Sequence, residues 1–135
     1  MDALLRQSVR QRAAGRCEYC GLWQKQEPLP FHVEHITSRQ HGGKDAEENL
    51  ALACHHCNLH KGPNLSGLDP RTGELTRLFH PRLDEWGDHF TRRGGEIIGL
   101  SAIGRVTVSL CQRGVARASK PAVSPISKSA GDFSP

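Results

Sequence analysis

The chain has little with which to build a core. Only 5% of its 135 residues are aromatic and 36% are hydrophobic, and the mean hydropathy is −0.52. Fourteen Gly and eight Pro supply turns rather than packing. That leanness argues against a large self-sufficient core and favours a staple such as a structural metal. Long hydrophobic runs are also missing, so no stretch reads as a membrane span. Residues 1–16 lack the apolar stretch of a secretory leader because arginines interrupt them. The expectation is a reducing, cytoplasmic setting, where paired cysteines bind metal more often than they form disulfides. Neither sign of charge dominates: 18 Lys and Arg against 14 Asp and Glu leave +4, with a pI near 9.0. This mild basicity permits attraction to a phosphate backbone but does not by itself identify a nucleic-acid partner.

Against this thin background stand two Cys-x-x-Cys pairs, Cys17/Cys20 and Cys54/Cys57. Four thiolates in a two-plus-two arrangement suit a tetrahedral structural zinc. Such an ion would bring residue 17 close to residue 57 and clamp both ends of everything between them. His55 and His56 lie inside the second pair and are rival ligands, but the symmetry of the two pairs favours sulfur. A redox role for Cys-x-x-Cys would need a βαβ context, and none is present. The fifth cysteine, Cys111, stands in an apolar run and reads as a small core residue.

Residues 2–14 are expected to form a helix, with Leu5, Val9 and Arg12/Ala13 near one face, arginines on its wet side and Gly15 as its stop. Residues 31–36 alternate as a strand does, and residues 49–53 suggest a second strand. The second cysteine pair then runs into a short helix ending near Gly62-Pro63. The order is strand, loop, strand, helix. Further on, residues 69–74 carry turn chemistry. Residues 75–79 and 96–100 suggest strands, 83–88 a helical turn, and 101–111 a helix capped by Ser101, with Ile103, Val106 and Leu110 on one side.

Between and beside the cysteines lie a carboxylate, a histidine and two amides, which read as a second, hydrolytic site; hydrolysis needs an activated water and neutralisation of developing charge. Histidine is the side chain whose ordinary charge change falls near neutrality, so His35 is the candidate to accept the water proton. Arg39, Lys44 and Lys61 are candidate phosphate contacts, which set affinity rather than sequence choice. Asp45, Glu47 and Glu48 read as solvated acids pointing away. Taken singly, each residue has a bland reading as a turn, cap or surface group; their joint order inside one clamp favours a site. Glu34 and His35 are strand neighbours and should face opposite sides, so aiming both at one point requires a bulge or twist.

Glu34-His35 on a strand, Asn49 before the next strand, and Cys54-x-x-Cys57-Asn58-x-x-Lys61 opening a helix resemble the HNH endonuclease family, in its four-cysteine, zinc-stapled branch. Downstream, Asp69-Pro70-Arg71-Thr72-Gly73-Glu74, Phe79-His80-Pro81-Arg82 and residues 98–105 are similar to a widespread bacterial subgroup. The resemblance implies an α+β fold, a small ββα-metal, treble-clef-like domain stapled by zinc. It implies His35 as general base and Asn49 as the residue fixing the loop around it. Glu34 and Asn58 would hold a catalytic Mg²⁺ or Mn²⁺, whose hard character suits carboxylate and amide oxygen. The implied substrate is DNA, cut to 5′-phosphate and 3′-hydroxyl ends, by a monomer or homodimer. The expected organisation is an N-terminal helix (1–16), the zinc-stapled core (17–66), a β/α extension packing on it (67–113) and a disordered tail (114–135). The competing expectation is a non-catalytic zinc module that binds nucleic acid or protein.

Overall fold

The structure is a computed structural model, and it describes residues 1–111. The expected disordered tail and the last two residues of the expected extension lie outside the described residues. The chain divides into two units. One comprises Met1–Pro63 with His80–Leu83, and the other Asn64–Phe79 with the chain from Asp84 onward.

The first unit begins with helix α1, Ala3–Ala13. Asp2 caps it by accepting the Leu5 amide at 2.8 Å, and Ala14 ends it in the left-handed region at φ 53°. Val9 is its buried residue. The arginines expected on its wet side are partly committed to the backbone instead. Arg12 donates to the carbonyls of Glu47 and Leu50 at 3.0 and 2.6 Å, and Arg10 to that of Phe31 at 3.1 Å. These carbonyls flank the strand pair, and the guanidinium groups supply donors that would otherwise have to come from water.

Strands β1, His32–His35, and β2, Leu50–Ala53, pair antiparallel in unbroken register, with His32 opposite Ala53 and His35 opposite Leu50. Every residue of β2 is buried, so its Leu-Ala-Leu-Ala run shows none of the alternation of a half-exposed strand. Helix α2, His55–Lys61, follows directly and completes the strand, loop, strand, helix order. Val9, Tyr19, Phe31, Ile36, Leu50 and Leu52 form the buried apolar set of this unit. The first cysteine turn joins the sheet through Glu18: its amide donates to Leu52 O at 2.8 Å, and its carboxylate accepts the Leu52 amide at 2.9 Å. Arg82 forms an ion pair with the same carboxylate.

In the second unit, β3, Ser66–Leu68, pairs with β4, Leu75–Arg77, and β5, Phe90–Arg93, pairs with β6, Glu96–Gly99, both antiparallel. Helix α3, Trp86–His89, runs straight into β5, and α4, Ala102–Cys111, follows β6. Gly94 and Gly95, both at positive φ, make the two-residue turn that strand twist favours. Neither β3 nor β5 was expected from sequence; each is established by its pairing with β4 or β6. Ser101 caps α4 as expected, accepting the Gly104 amide at 3.0 Å. The buried residues of α4 are Gly104, Val106, Thr107 and Cys111, a face rotated from the expected one. Gly104 explains the rotation. A Cβ there would lie 2.0 Å from His89 O, so the missing side chain lets the helix approach backbone. Among the described residues, four α-helices and three two-stranded antiparallel sheets match the expected α+β class.

Candidate metal centre and hydrolytic site

Two tight turns carry the four cysteines. In the first, the Cys17 amide donates to Leu22 O at 2.9 Å and Gly21 turns at φ 79°. The Cys20 amide faces Cys17 Sγ at 3.5 Å, and in the second turn the Cys57 amide faces Cys54 Sγ at 3.4 Å. Amide-to-sulfur contacts of this kind favour thiolate over thiol. All four sulfurs lie within 4.8 Å of one another, and Cys20 Sγ to Cys54 Sγ is 3.8 Å. A tetrahedron with Zn–S bonds of about 2.3 Å has sulfur–sulfur edges of about 3.8 Å, so the donor set fits zinc in type, number and spacing. Burial pushes the Cys17 thiol up, but hydrogen bonds from Cys20, Cys54 and Cys57 outweigh it and hold Cys17 well below the usual range. Cys20 is pushed up, chiefly by sharing its proton with Cys17 and Cys54. Among the described residues this is the one group of three or more His, Cys, Asp or Glu side chains placed to hold a metal ion. The four-cysteine cluster supports a structural zinc.

The chain between the clamped turns presents two separate polar clusters. Glu34 is buried beside Ile36, the residue two positions on and on the same strand face. Its Oε2 accepts the Tyr19 hydroxyl at 2.5 Å, and Lys61 Nζ lies 3.8 Å from Oε1. Burial raises the Glu34 carboxyl above its ordinary value, with Lys61 and Tyr19 opposing the rise. Lys61 is itself only 2% exposed and donates to Ile36 O at 3.1 Å. The expected phosphate contact at Lys61 is therefore corrected: a buried ammonium serving a buried carboxylate does not reach a DNA backbone. The carboxylate expected to ligate a hydrated Mg²⁺ or Mn²⁺ is likewise committed to interior partners.

His35 lies on the other side of the strand, and β1 contains no bulge that would redirect it. Its Nε2 is 2.7 Å from Asp45 Oδ1. Arg39 donates to both oxygens of Asp45, at 2.9 and 2.8 Å, and the Met1 amino group lies 3.3 Å from Oδ2. The hydrogen bond from His35, ahead of the nearby positive charges, lowers the Asp45 carboxyl to about 2. Asp45 was expected to be a solvated acid pointing away. It is instead the partner of the histidine, and no local pattern in the sequence could have located it, since the contact spans ten residues of loop.

Asn49 closes that loop. Its Oδ1 accepts the Thr37 amide at 2.9 Å, and its Nδ2 donates to Thr37 O at 3.0 Å and Lys44 O at 2.9 Å. Gly43 sits against the same closure, where a Cβ would lie 1.7 Å from Thr37 O. Asn58 is half-buried on α2, and its carboxamide makes no hydrogen bond among the described residues. Lys44 is exposed, as is Arg39, whose side chain is 65% accessible. Histidines that drew less notice in sequence gather on α2 and β1: His32 and His55 rings are 5.7 Å apart, and His56 stacks on His60 at 6.1 Å. The structure thus brings His35, Asp45 and Arg39 together, and separately Glu34, Tyr19 and Lys61. It does not aim Glu34 and His35 at one point.

Comparison with known proteins gives one family. The sequence profile of the HNH endonuclease family matches residues 17–64, from the first cysteine to just beyond α2. No curated protein and no solved structure matches the chain. Among the described residues no helix is long and apolar enough to cross a membrane. The matched segment contains both cysteine turns, the β1–β2 hairpin and α2, so it is this stretch, residues 17–64, that is similar to the HNH endonuclease family.

Proposed function

We propose that the first unit hydrolyses phosphodiester bonds of DNA, leaving 5′-phosphate and 3′-hydroxyl ends, with His35 as general base. The observation that carries this reading is the His35 imidazole, bonded through Nε2 to Asp45 at 2.7 Å within the family-matched segment. Asp45 is ionised at neutral pH and can only accept a hydrogen bond, so Nε2 carries the proton. The Nδ1 lone pair is then the one available to water. That nitrogen takes the proton as the water oxygen attacks phosphorus and the bond to the 3′ oxygen breaks, and the departing 3′ oxygen takes up a proton from solvent water to become the hydroxyl. Asn49 acts as a positioning residue by fixing Thr37 and Lys44 on either side of the loop. Lys44 and the free edge of Arg39 are the phosphate contacts, consistent with the net charge of +4. The substrate class is a nucleic acid, and DNA is the specific proposal.

The residues expected to hold a catalytic divalent ion do not form a donor set. Glu34 is bonded to Tyr19 and faces Lys61, which leaves Asn58, and a single amide oxygen is a poor match for Mg²⁺ or Mn²⁺. The same commitment of Glu34 favours a second reading, a zinc module that binds nucleic acid without cutting it.

A supercoiled-plasmid assay across Mg²⁺, Mn²⁺ and metal-free conditions separates the two. The nuclease reading expects nicking that His35→Ala abolishes while zinc content and circular dichroism stay unchanged. Nicking that survives His35→Ala would overturn His35 as the base, and no nicking under any condition alongside plasmid retention in a gel shift would establish the binding module.

A further inference from the structure

We propose that Asp45 is the positioning residue of the hydrolytic site, a carboxylate that fixes the tautomer and the ring plane of His35. The proposal rests on the nuclease reading for its catalytic meaning, while the contact itself stands on geometry. One Asp45 oxygen meets Nε2 at 2.7 Å. The carboxylate is in turn held at both oxygens by Arg39, so it cannot swing away without breaking that pair. The loop closure determines where Asp45 stands. Asn49 grips Lys44, the residue just before Asp45, and Thr37, two residues after His35. Through one side chain, the strand end bearing the base and the loop bearing its partner are held in fixed relation.

The chemistry follows from the charge. A neutral imidazole in water samples both tautomers, and only one of them leaves Nδ1 unprotonated. An anionic acceptor at Nε2 selects that one. It also stabilises the imidazolium formed once the water proton has been taken, so its effect is largest after proton transfer. Asp45 is ionised throughout the neutral range, its carboxyl held at about 2 by His35 first and by the adjacent positive charges. The charged groups around the ring are Asp45, Arg39, the Met1 amino group and, across the strand, Glu34. Asp45 is the one in contact with Nε2.

The test uses the full zinc-loaded chain, labelled with ¹⁵N, and reads the His35 ring by long-range ¹H–¹⁵N correlation beside plasmid nicking. Wild type is expected to show the Nε2–H form. Asp45→Asn is expected to lose that preference, because a carboxamide donates as readily as it accepts. Its nicking rate should fall on the order of 100-fold, with zinc content unchanged, and Asp45→Glu should recover part of both signals. An Asp45→Asn protein that retains the tautomer and nicks at the wild-type rate would overturn the proposal and leave the nuclease reading intact. A wild type that never nicks, yet loses the Nε2–H form on Asp45→Asn, would overturn the nuclease reading and leave the orienting contact standing.

Discussion

Lys61 Nζ lies 3.8 Å from Glu34 Oε1, and both side chains are buried. The pair ties the end of α2 to the middle of β1, and Lys61 extends the tie by bonding Ile36 O. A buried ammonium or carboxylate without its partner is strongly unfavourable, whereas an apolar pair of similar volume is often tolerated.

Lys61→Ala should therefore lower unfolding free energy by about 3–5 kcal/mol, since it strands Glu34 beside Tyr19. Joint replacement, Glu34→Leu with Lys61→Met, should recover much of that loss. Urea unfolding of the zinc-loaded proteins, arranged as a double-mutant cycle, checks this. A Lys61→Ala loss below about 1 kcal/mol would mean that the ammonium is in water and that the burial described above is wrong.

The sulfur cluster predicts a metal-dependent fold for the first unit. Structural zinc binds zinc-finger peptides with apparent energies on the order of 10 kcal/mol. Removing it with a strong chelator, or replacing Cys54 by Ser, should melt β1, β2 and α2 together. Zinc quantification and backbone amide exchange read this directly, and one zinc per chain is the expected stoichiometry. Retention of native exchange protection in the metal-free protein would contradict it.

Asn49→Ala removes three hydrogen bonds from the loop closure. With the Thr37 and Lys44 groups left to find water, the expected cost is about 1–3 kcal/mol. If His35 is the base, nicking should fall by more than the stability loss explains, because the ring and Asp45 lose their common anchor. Comparing rate with melting temperature across Asn49→Ala and Asn49→Asp separates the two effects.

How much of this was open to the sequence differs from residue to residue. The cysteine turns were legible because ligand spacing is a local property, and the strand–loop–strand–helix order followed from composition over short windows. The opposed directions of Glu34 and His35 also followed from strand geometry alone. What each of them meets did not. Tyr19 and Asp45 lie 15 and 10 residues away from their partners, and only the folded path of the loop brings them in. The same holds for Lys61: a lysine at a helix end reads as exposed until β1 is laid across it. The strand at 96–100 was expected, whereas β5 is established by its pairing with that strand across Gly94-Gly95.

In the second unit, Gly104→Ala should be severe. Its Cβ would sit 2.0 Å from His89 O, a backbone atom with little room to move, and a loss of about 3 kcal/mol or more is expected. Gly87 provides the control. A Cβ there meets nothing within 4 Å, so Gly87→Ala should be neutral or stabilising by about 0.4–1 kcal/mol. Thermal unfolding of the two variants side by side tests the close approach.

Asp69 predicts a pH dependence. Its buried carboxylate is bonded by Arg105 at 3.0 and 2.8 Å and by the Arg71 amide and Thr72 hydroxyl at 3.0 Å. The Arg105 bonds lead in lowering its carboxyl to about 2, below the unfolded value of about 3.9. A depressed folded value means that the contribution is full above about pH 4 and is lost as pH falls through about 2. Wild type should exceed Asp69→Asn in stability at neutral pH, and the gap should close between those two values in an acid titration. A gap that is constant down to pH 2 would assign the difference to packing.

The ring closed by Asn49 leaves the turn at Arg39–His41 and Gly42 outside it. Chain added between His41 and Gly42 would hang from a closed base, and each doubling of such a loop costs only about 0.6 kcal/mol. The imidazole would stay where it is. This hairpin can thus lengthen at its tip independently of its root, which makes the tip the natural graft point for a segment that reads a groove or a base sequence.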